Sequence, residues 1–151
     1  MGVLNFKRKQ LGLFVIVSLA LFSGLAVSGL LNIQKTLTSS GSIKAINVEV
    51  YWDAACTQVV SDVDWGVAEP GENVSRTVYV KNTGNSQMAL NMSYSGWSPV
   101  EAGSYLSLVW DREGSLIDAD EVLAAVLTMV VDGSISGVTD YSYNIVIQGS
   151  G

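Results

Sequence analysis

The side chains best suited to chemistry in this sequence are carboxylates that cluster in one loop. The loop holds Asp111, Glu113, Asp118, Asp120 and Glu121. Alternating carboxylates supply the hard oxygen ligands that Ca²⁺ prefers, but the spacing lacks the central glycine and the final glutamate of an EF-hand. Two interpretations stay open, a calcium site and a solvated turn that keeps one end of a sheet soluble. We expect no other cofactor.

A second carboxylate pair, Asp62 and Asp64, flanks Val63 on one face of a short predicted strand. Glycosidases use two carboxylates, but they need a cleft between them, and an edge strand offers none. The sequence contains no histidine, and we find neither a nucleophile motif nor a phosphate-binding loop. We therefore expect a protein without enzymatic activity.

Cys56 is the single cysteine, so no disulfide can form within the chain. We expect it to act as a small buried apolar residue, with an intermolecular disulfide or a reactive thiol as the alternatives.

The charge is unevenly distributed along the chain. The 151 residues carry 8 basic and 14 acidic side chains, a net charge of −6. All the acidic residues lie at or after Glu49, and from Thr36 onward four basic residues face fourteen acidic ones, a net charge of −10. Such a surface repels phosphate backbones, so we exclude nucleic acid as a partner and expect any charged partner to be cationic.

The N-terminal region has the pattern of a membrane-directed helix. Lys7-Arg8-Lys9 precedes an uncharged run from Leu11 to Leu31, which as a helix spans roughly 31 Å, the thickness of a bilayer core. The basic flank places the N-terminus in the cytoplasm and the rest of the chain outside. Residues 1–31 are therefore either a retained membrane anchor or a signal peptide cut after Ala26-Val27-Ser28.

Residues 32–41 are predicted to be either a linker next to the membrane or a free strand. Leu31, Ile33 and Leu37 share one face of an alternating pattern that has no obvious hairpin partner. A strand of this kind can complete the sheet of a neighbouring subunit, and these three residues are its candidate donor-strand contacts.

Residues 42–149 alternate with a period of two, which predicts an all-β domain. About seven strands are expected, around residues 46–52, 63–66, 74–81, 88–93, 105–110, 122–131 and 141–148. The run Asn82-Thr83-Gly84-Asn85 predicts a hairpin between the third and fourth of them. Val122–Val131 is nearly all apolar and is either a strand buried on both faces or a short helix; valine favours the strand. The expected fold is an immunoglobulin-like antiparallel β-sandwich preceded by one hydrophobic helix.

Aromatic and asparagine side chains supply the remaining candidate sites. Trp52, Trp65 and Trp110 lie on predicted strands and should pack in the core or at its rim. Trp97 lies in a predicted loop and, with Tyr94 and Tyr105, could form a ligand surface for carbohydrate. Asn73 and Asn91 each begin an N-glycosylation sequon, which matters only outside the cytoplasm.

Turn motifs between residues 63 and 85 resemble a known class of module. Val63-Asp64-Trp65-Gly66, Pro70-Gly71-Glu72 and Arg76 to Asn85 resemble the opening of immunoglobulin-like modules in archaeal and bacterial surface proteins. The order of hydrophobic signal, spacer and Gly41-Ser42-Ile43-Lys44-Ala45 resembles camelysin/TasA-type filament proteins and archaeal bundling pilins. The second resemblance implies assembly by donor-strand exchange.

These features together predict a non-enzymatic structural or adhesive protein of the cell surface. Its partners would be the membrane, through the N-terminal helix unless this is cut, and either further copies of itself or other surface proteins. The alternatives are a membrane-tethered ligand-binding module and an accessory subunit of a membrane complex.

Overall fold

The computed structural model of the protein describes residues 37–151, and these form nine β-strands and one short 3₁₀ helix. The strands are β1 (Leu37–Ile46), β2 (Val48–Tyr51), β3 (Asp62–Ala68), β4 (Asn73–Asn82), β5 (Met88–Ser98), β6 (Leu106–Trp110), β7 (Leu116–Ile117), β8 (Val122–Val131) and β9 (Asp140–Ser150). The 3₁₀ helix, Val100–Ser104, lies between β5 and β6. Residues 1–36, which include the predicted helix, lie outside the described part of the chain.

The strands form two sheets, so the all-β prediction is confirmed. One sheet has five strands in the order β3-β1-β9-β5-β7, and the other has four in the order β2-β4-β8-β6. Their inner faces share one core. Within residues 37–151, no helix is long and apolar enough to cross a bilayer.

Alternation along the strands produces this core. In β9 the side chains of Tyr141, Tyr143, Ile145 and Ile147 are buried, and each burial of such a side chain stabilises the fold by about 1.5–3 kcal/mol. Val122–Val131 is a strand, as favoured, but it is not buried on both faces. Its inward side chains are buried from Ala125 to Val131, and those between them are half-buried.

The N-terminal strand passes from one sheet to the other at a single residue. Asn47 has a positive φ of 61° and lies between β1 in the five-stranded sheet and β2 in the four-stranded sheet. Asparagine tolerates this left-handed conformation better than most residues. β1 runs parallel to β9, so the expectation of a purely antiparallel sandwich is wrong for this pair.

The hairpin predicted at residues 82–85 is also wrong, because the chain crosses between the sheets there. β4 belongs to the four-stranded sheet and β5 to the five-stranded one. Asn82 is fully buried, accepts a hydrogen bond from Gly84 N at 2.8 Å, and donates to the carbonyls of Ser86 and Ile117 at 2.8 and 3.3 Å. Its side chain thereby holds the crossing in place.

Candidate functional site

The N-terminal strand β1 lies inside the five-stranded sheet, where it occupies the gap between β3 and β9. We call this gap the β1 groove. β1 pairs antiparallel with β3, from Leu37 opposite Ala68 to Ser42 opposite Asp62. On its other side it pairs parallel with β9, from Thr38 opposite Asp140 to Ile46 opposite Gln148. A strand that contacts both neighbours closes the sheet, so the groove cannot stay empty without opening the core.

The inward face of β1 carries small side chains. Leu37 is buried at one end, and Ser39 and Gly41 follow it on the same face. A Cβ added to Gly41 would lie 3.2 Å from Ile145 Cδ1, 3.4 Å from Tyr143 Cζ and 3.5 Å from Trp65 Nε1. The main chain of β1 therefore covers these large side chains directly, and an added methyl group would require a small shift of the Ile145 side chain.

Three polar atoms are buried in this region without a hydrogen bond of good geometry among the described residues. They are Ser39 Oγ, Trp65 Nε1 and Tyr143 OH. Burial raises the pKa of Tyr143 well above its ordinary value of 10. Trp65 lies near enough to Tyr143, and Ser39 to Tyr141, to lower the pKa of each phenol slightly against the effect of burial. An unsatisfied buried donor costs about 1–3 kcal/mol. Polar atoms in the β1 groove therefore reduce the stability of the closed fold.

Of the three residues predicted as donor-strand contacts, the structure describes one. Leu31 and Ile33 lie outside the described residues, whereas Leu37 is the first residue of β1 and only 1% exposed. The sandwich thus includes residues 37–41, which sequence reasoning assigned to a linker or free strand. The inward positions of β1 repeat with a period of two, at Leu37, Ser39, Gly41, Ile43 and Ala45. Three of these residues are small, so the alternation of large apolar and polar residues is difficult to recognise in the sequence.

Trp97 lies in β5 and not in a loop, and it belongs to an aromatic cluster. Its ring stacks on Tyr143 with centroids 4.2 Å apart, and Tyr94 meets it edge-on at 5.9 Å. A Cβ on Gly103 would lie 2.5 Å from Trp97 Cδ1, so the 3₁₀ helix is packed against the indole. Tyr105, the third residue predicted for the ligand surface, is half-buried against the core. Trp97 is therefore mainly a packing residue, although Tyr94 remains 37% exposed.

The other three tryptophans pack as predicted. Trp65 is 1% exposed in the core, and Trp52 and Trp110 are partly buried against it.

The acidic loop is built from hydrogen bonds to the chain itself. Asp111 accepts from Val126 N at 2.8 Å, where β8 extends past the end of β6. Glu113 accepts from Met92 N at 3.1 Å and from Trp110 Nε1 at 2.7 Å, and so joins the two sheets. These two carboxylates complete the sheets rather than point to a common centre.

The remaining three carboxylates form the turn into β8. Glu121 accepts from Asp118 N at 2.7 Å, Asp118 accepts from Gln87 Nε2 at 2.6 Å, and Asp120 has a positive φ of 61°. Among residues 37–151 no group of three or more metal-binding side chains is placed to hold an ion. The geometry gives the predicted calcium site no support.

The two sequons differ in accessibility. Asn73 is exposed at the first position of β4. Asn91 is half-buried in β5, and its Nδ2 donates to Ser150 Oγ at 3.0 Å. Asn73 is the more accessible acceptor for a glycan.

Cys56 does not lie in the core, contrary to expectation. It is partly exposed and has a positive φ of 56°, in a loop held by the Asp53 carboxylate. That carboxylate accepts from Thr57 N, Thr57 Oγ1 and Gln58 N. A polar loop of this kind offers no apolar pocket for the thiol.

No protein-family model matches this chain, and no curated protein matches it closely enough to count as a relative. The functional argument therefore depends on the fold and on the side-chain geometry.

Proposed function

We propose that the chain is a non-enzymatic structural or adhesive protein of the cell surface, whose subunits assemble by exchanging β1. The observation that carries this proposal is the β1 groove. Its occupant is the first of the described strands, it lies inside a sheet, and three buried polar atoms beside it lack a hydrogen bond of good geometry among residues 37–151.

The order of elements along the chain makes β1 suitable for exchange. It is the first strand of the described residues and connects to β2 through Asn47 alone. A rotation at Asn47 would move β1 away from β3 and β9 and leave the connections among β2 to β9 unchanged. The Trp65, Tyr143 and Ile145 side chains beneath it would then be exposed, so a second copy of β1 would be needed to cover them.

Exchange between identical chains would conserve the contacts that β1 makes within one chain. The same main-chain hydrogen bonds to β3 and β9 and the same packing over Gly41 would form between two molecules. The free-energy difference between the closed and exchanged forms would therefore be small, and the local concentration of subunits at a membrane would favour the exchanged form.

We also propose that the domain lies outside the cytoplasm and has an immunoglobulin-like fold. Lys7-Arg8-Lys9 followed by the Leu11–Leu31 run supports delivery outside the cytoplasm by a hydrophobic helix, and the net charge of −10 from Thr36 onward suits an exposed surface domain. The two-sheet sandwich supports an immunoglobulin-like classification of the domain.

Paired cysteines can distinguish a β1 that pairs within its own chain from a β1 that is donated to another chain. Ser40 and Ser142 lie opposite each other on β1 and β9, and both are exposed. In a Cys56→Ser background, Ser40→Cys with Ser142→Cys should form a disulfide. Exchange predicts a ladder of covalent oligomers on a non-reducing gel of surface material, whereas a closed monomer gives one band.

The matched control uses a pair inside the four-stranded sheet. Ser75 and Thr128 lie opposite each other on β4 and β8, with their hydroxyl oxygens 2.9 Å apart. Ser75→Cys with Thr128→Cys should give only an intramolecular disulfide in the same material. A single monomer band for the Ser40 and Ser142 pair in assembled protein would overturn β1 exchange.

Intact mass and negative-stain microscopy of material stripped from cells test the wider proposal. Fibres together with a mass that lacks residues up to about Ser28 mean a cleaved filament subunit. A full-length mass found only in membranes, without fibres, means a single tethered domain and contradicts assembly by exchange.

A further inference from the structure

The outer edge of β6 differs from the other sheet edges. On β2, the loop after the strand pairs with the edge, with Val60 N donating to Val50 O at 2.8 Å. On β3, the Arg76 guanidinium donates to the carbonyls of Asp64 and Trp65 at 2.9 and 2.8 Å.

The fourth edge is the two-residue strand β7, where Asn82 Nδ2 donates to the carbonyl of Ile117 at 3.3 Å. Residues 113–117 lie along β5, with Gly114 N donating to Leu90 O at 2.8 Å and Leu90 N to Ser115 O at 2.9 Å. Since β7 has only two residues, β6 is, within residues 37–151, the longest edge strand whose outer side has no such cover.

The hydrogen bonds at the two ends of β6 show which of its main-chain groups are free. Asp132 N donates to Tyr105 O at 2.8 Å, and Asp111 N donates to Val126 O at 3.3 Å. Because hydrogen-bonded and non-bonded pairs alternate in an antiparallel ladder, Ser107 and Val109 also face β8. The N–H and C=O groups of Leu106, Leu108 and Trp110 therefore point outward along the free edge.

This edge is complementary to itself. If two copies of β6 meet antiparallel with Leu108 opposite Leu108, then Leu106 lies opposite Trp110 in both directions. All three of these positions carry outward groups, so about six main-chain hydrogen bonds can form. Ser107 of one copy then lies opposite Val109 of the other, and Asp111 lies opposite Tyr105 and not another carboxylate.

The charge distribution favours this contact between two acidic domains. The outer face of the five-stranded sheet carries Asp62, Asp64 and Asp140, all exposed. The carboxylates Asp111 and Asp132 lie just beyond the ends of β6 and β8. Along β6 and the part of β8 beside it, the outer face of the four-stranded sheet carries uncharged side chains: Ser107, Val109, Val126, Thr128 and Val130. Two domains, each with a net charge of −10 from Thr36 onward, meet with least repulsion through such a surface, and Val109 is 51% exposed on it.

We propose that β6 pairs with β6 of a second copy of this chain about a two-fold axis near Leu108. The two four-stranded sheets then form one continuous eight-stranded sheet. This contact does not involve β1 or the N-terminal segment, so it goes beyond the proposed exchange and can fail or hold independently of it.

Mixed cysteine variants of the full chain in mild detergent test the register. One chain carries Ser107→Cys, the other carries Val109→Cys, and both carry Cys56→Ser. Positions 107 and 109 form a close non-hydrogen-bonded pair in the proposed register, so oxidation should give a mixed disulfide dimer. Thr77→Cys mixed with Val109→Cys is the control and should give no dimer above background, because Thr77 lies on the inner strand β4.

A charge variant tests whether the edge drives association. Lysine on an edge strand opposes pairing, so Val109→Lys should raise the dimer dissociation constant about tenfold or more in sedimentation velocity. Val100→Lys is the matched control, since Val100 is 80% exposed and outside the edge. Both variants lower the net negative charge equally, so a general charge effect would strengthen association in both.

Equal disulfide yields from the register pair and the control pair would overturn the proposal, as would an unchanged dissociation constant in Val109→Lys. The variants at positions 107 and 109 should leave the oligomer ladder from Ser40→Cys with Ser142→Cys intact. If Ser40→Cys with Ser142→Cys gives no ladder while the β6 disulfide dimer still forms, β1 exchange is contradicted and β6 pairing is not.

Discussion

Arg76 of the four-stranded sheet donates from Nη2 to the main-chain carbonyl of Trp65 in the five-stranded sheet, at 2.8 Å. The same guanidinium donates from Nε to the carbonyl of Asp64 at 2.9 Å. One side chain thus satisfies two acceptors on the outer edge of β3 and connects the sheets along that edge.

Replacing Arg76 should weaken the sandwich. Arg76→Ala removes these two hydrogen bonds and a third, from Nη1 to the carbonyl of Ser75 at 3.0 Å, and should lower the free energy of unfolding by about 1–2 kcal/mol, measured by urea denaturation. Arg76→Lys should recover little of this, because an ammonium cannot reproduce the fork of a guanidinium. Lys81→Ala removes the same charge from the same strand and should stay within about 0.5 kcal/mol of the parent. Equal losses in Arg76→Ala and Lys81→Ala would mean that charge, and not these bonds, matters.

Removing the Tyr143 hydroxyl should cost nothing. Tyr143→Phe deletes a buried OH that has no hydrogen bond of good geometry among the described residues, so the free energy of unfolding should stay the same or rise by up to about 1 kcal/mol. Tyr51 is the matched control, since its hydroxyl donates to the Glu49 carboxylate. Tyr51→Phe should lose about 1 kcal/mol. A clear destabilisation by Tyr143→Phe would show that the hydroxyl has a partner, a buried water included.

Glu113 should act as a connection between the sheets. Glu113→Ala leaves Met92 N and Trp110 Nε1 without their acceptor and should lower the free energy of unfolding by about 1 kcal/mol, since water can reach both donors. The indole should also become more mobile, which a change in tryptophan fluorescence anisotropy would reveal. Glu113→Gln keeps a side-chain oxygen in place and should retain most of the stability. If Ca²⁺ raised the melting temperature of the parent but not of Glu113→Ala, the loop would be a metal site after all.

Alkaline pH should destabilise the domain through its buried tyrosines. Burial raises the pKa of Tyr141 to about 12 from an ordinary value of 10. Because the folded-state pKa is raised, the contribution of this phenol is fully present below pH 10 and is lost as the pH rises through about 12. A spectrophotometric titration should show a late phenolate phase that coincides with unfolding and shrinks in Tyr141→Phe. Ionisation of all tyrosines in one step near pH 10 would contradict it.

Glycosylation should distinguish the two sequons. In a host that modifies such sites outside the cytoplasm, Asn73→Gln should remove a glycan mass, whereas Asn91→Gln should leave the mass of the glycans unchanged. The reason is that Asn73 is exposed, whereas Asn91 Nδ2 is engaged with Ser150 Oγ. A glycan on Asn91 alone would mean that modification precedes folding of β5.

The sequence predicts most strands because large apolar residues repeat with a period of two. Tyr141 to Ile147 in β9 and Val78 to Val80 in β4 bury the residues expected from that pattern. β1 escapes such reasoning because Ser39 and Gly41 occupy the middle of its inward series and interrupt the alternation of apolar residues. Small residues suit these positions because the side chains of Trp65 and Tyr143 pack against them, and both belong to other strands.

Sheet partnership is harder to predict than strand position. Asn82-Thr83-Gly84-Asn85 has the residues of a hairpin, yet the buried Asn82 side chain bonds the carbonyl of Ile117, 35 residues away. Trp97 was expected in a loop because Gly96 and Pro99 flank it, but β5 continues through it. In the acidic loop, local sequence could not show that Asp111 and Glu113 take the place of missing ladder partners.

The parallel alignment of β1 with β9 also has a mechanical consequence. β1 enters the sheet at Leu37 and β9 leaves it at Ser150, and nine residue pairs join the two strands side by side. If tension is applied between the N-terminal and C-terminal ends of the domain, the two strands are pulled in opposite directions along their length. The evenly spaced hydrogen bonds of a parallel ladder then resist together in shear, instead of breaking one after another as in a zipper. The domain should therefore withstand pulling along this axis far better than its modest number of strands would indicate.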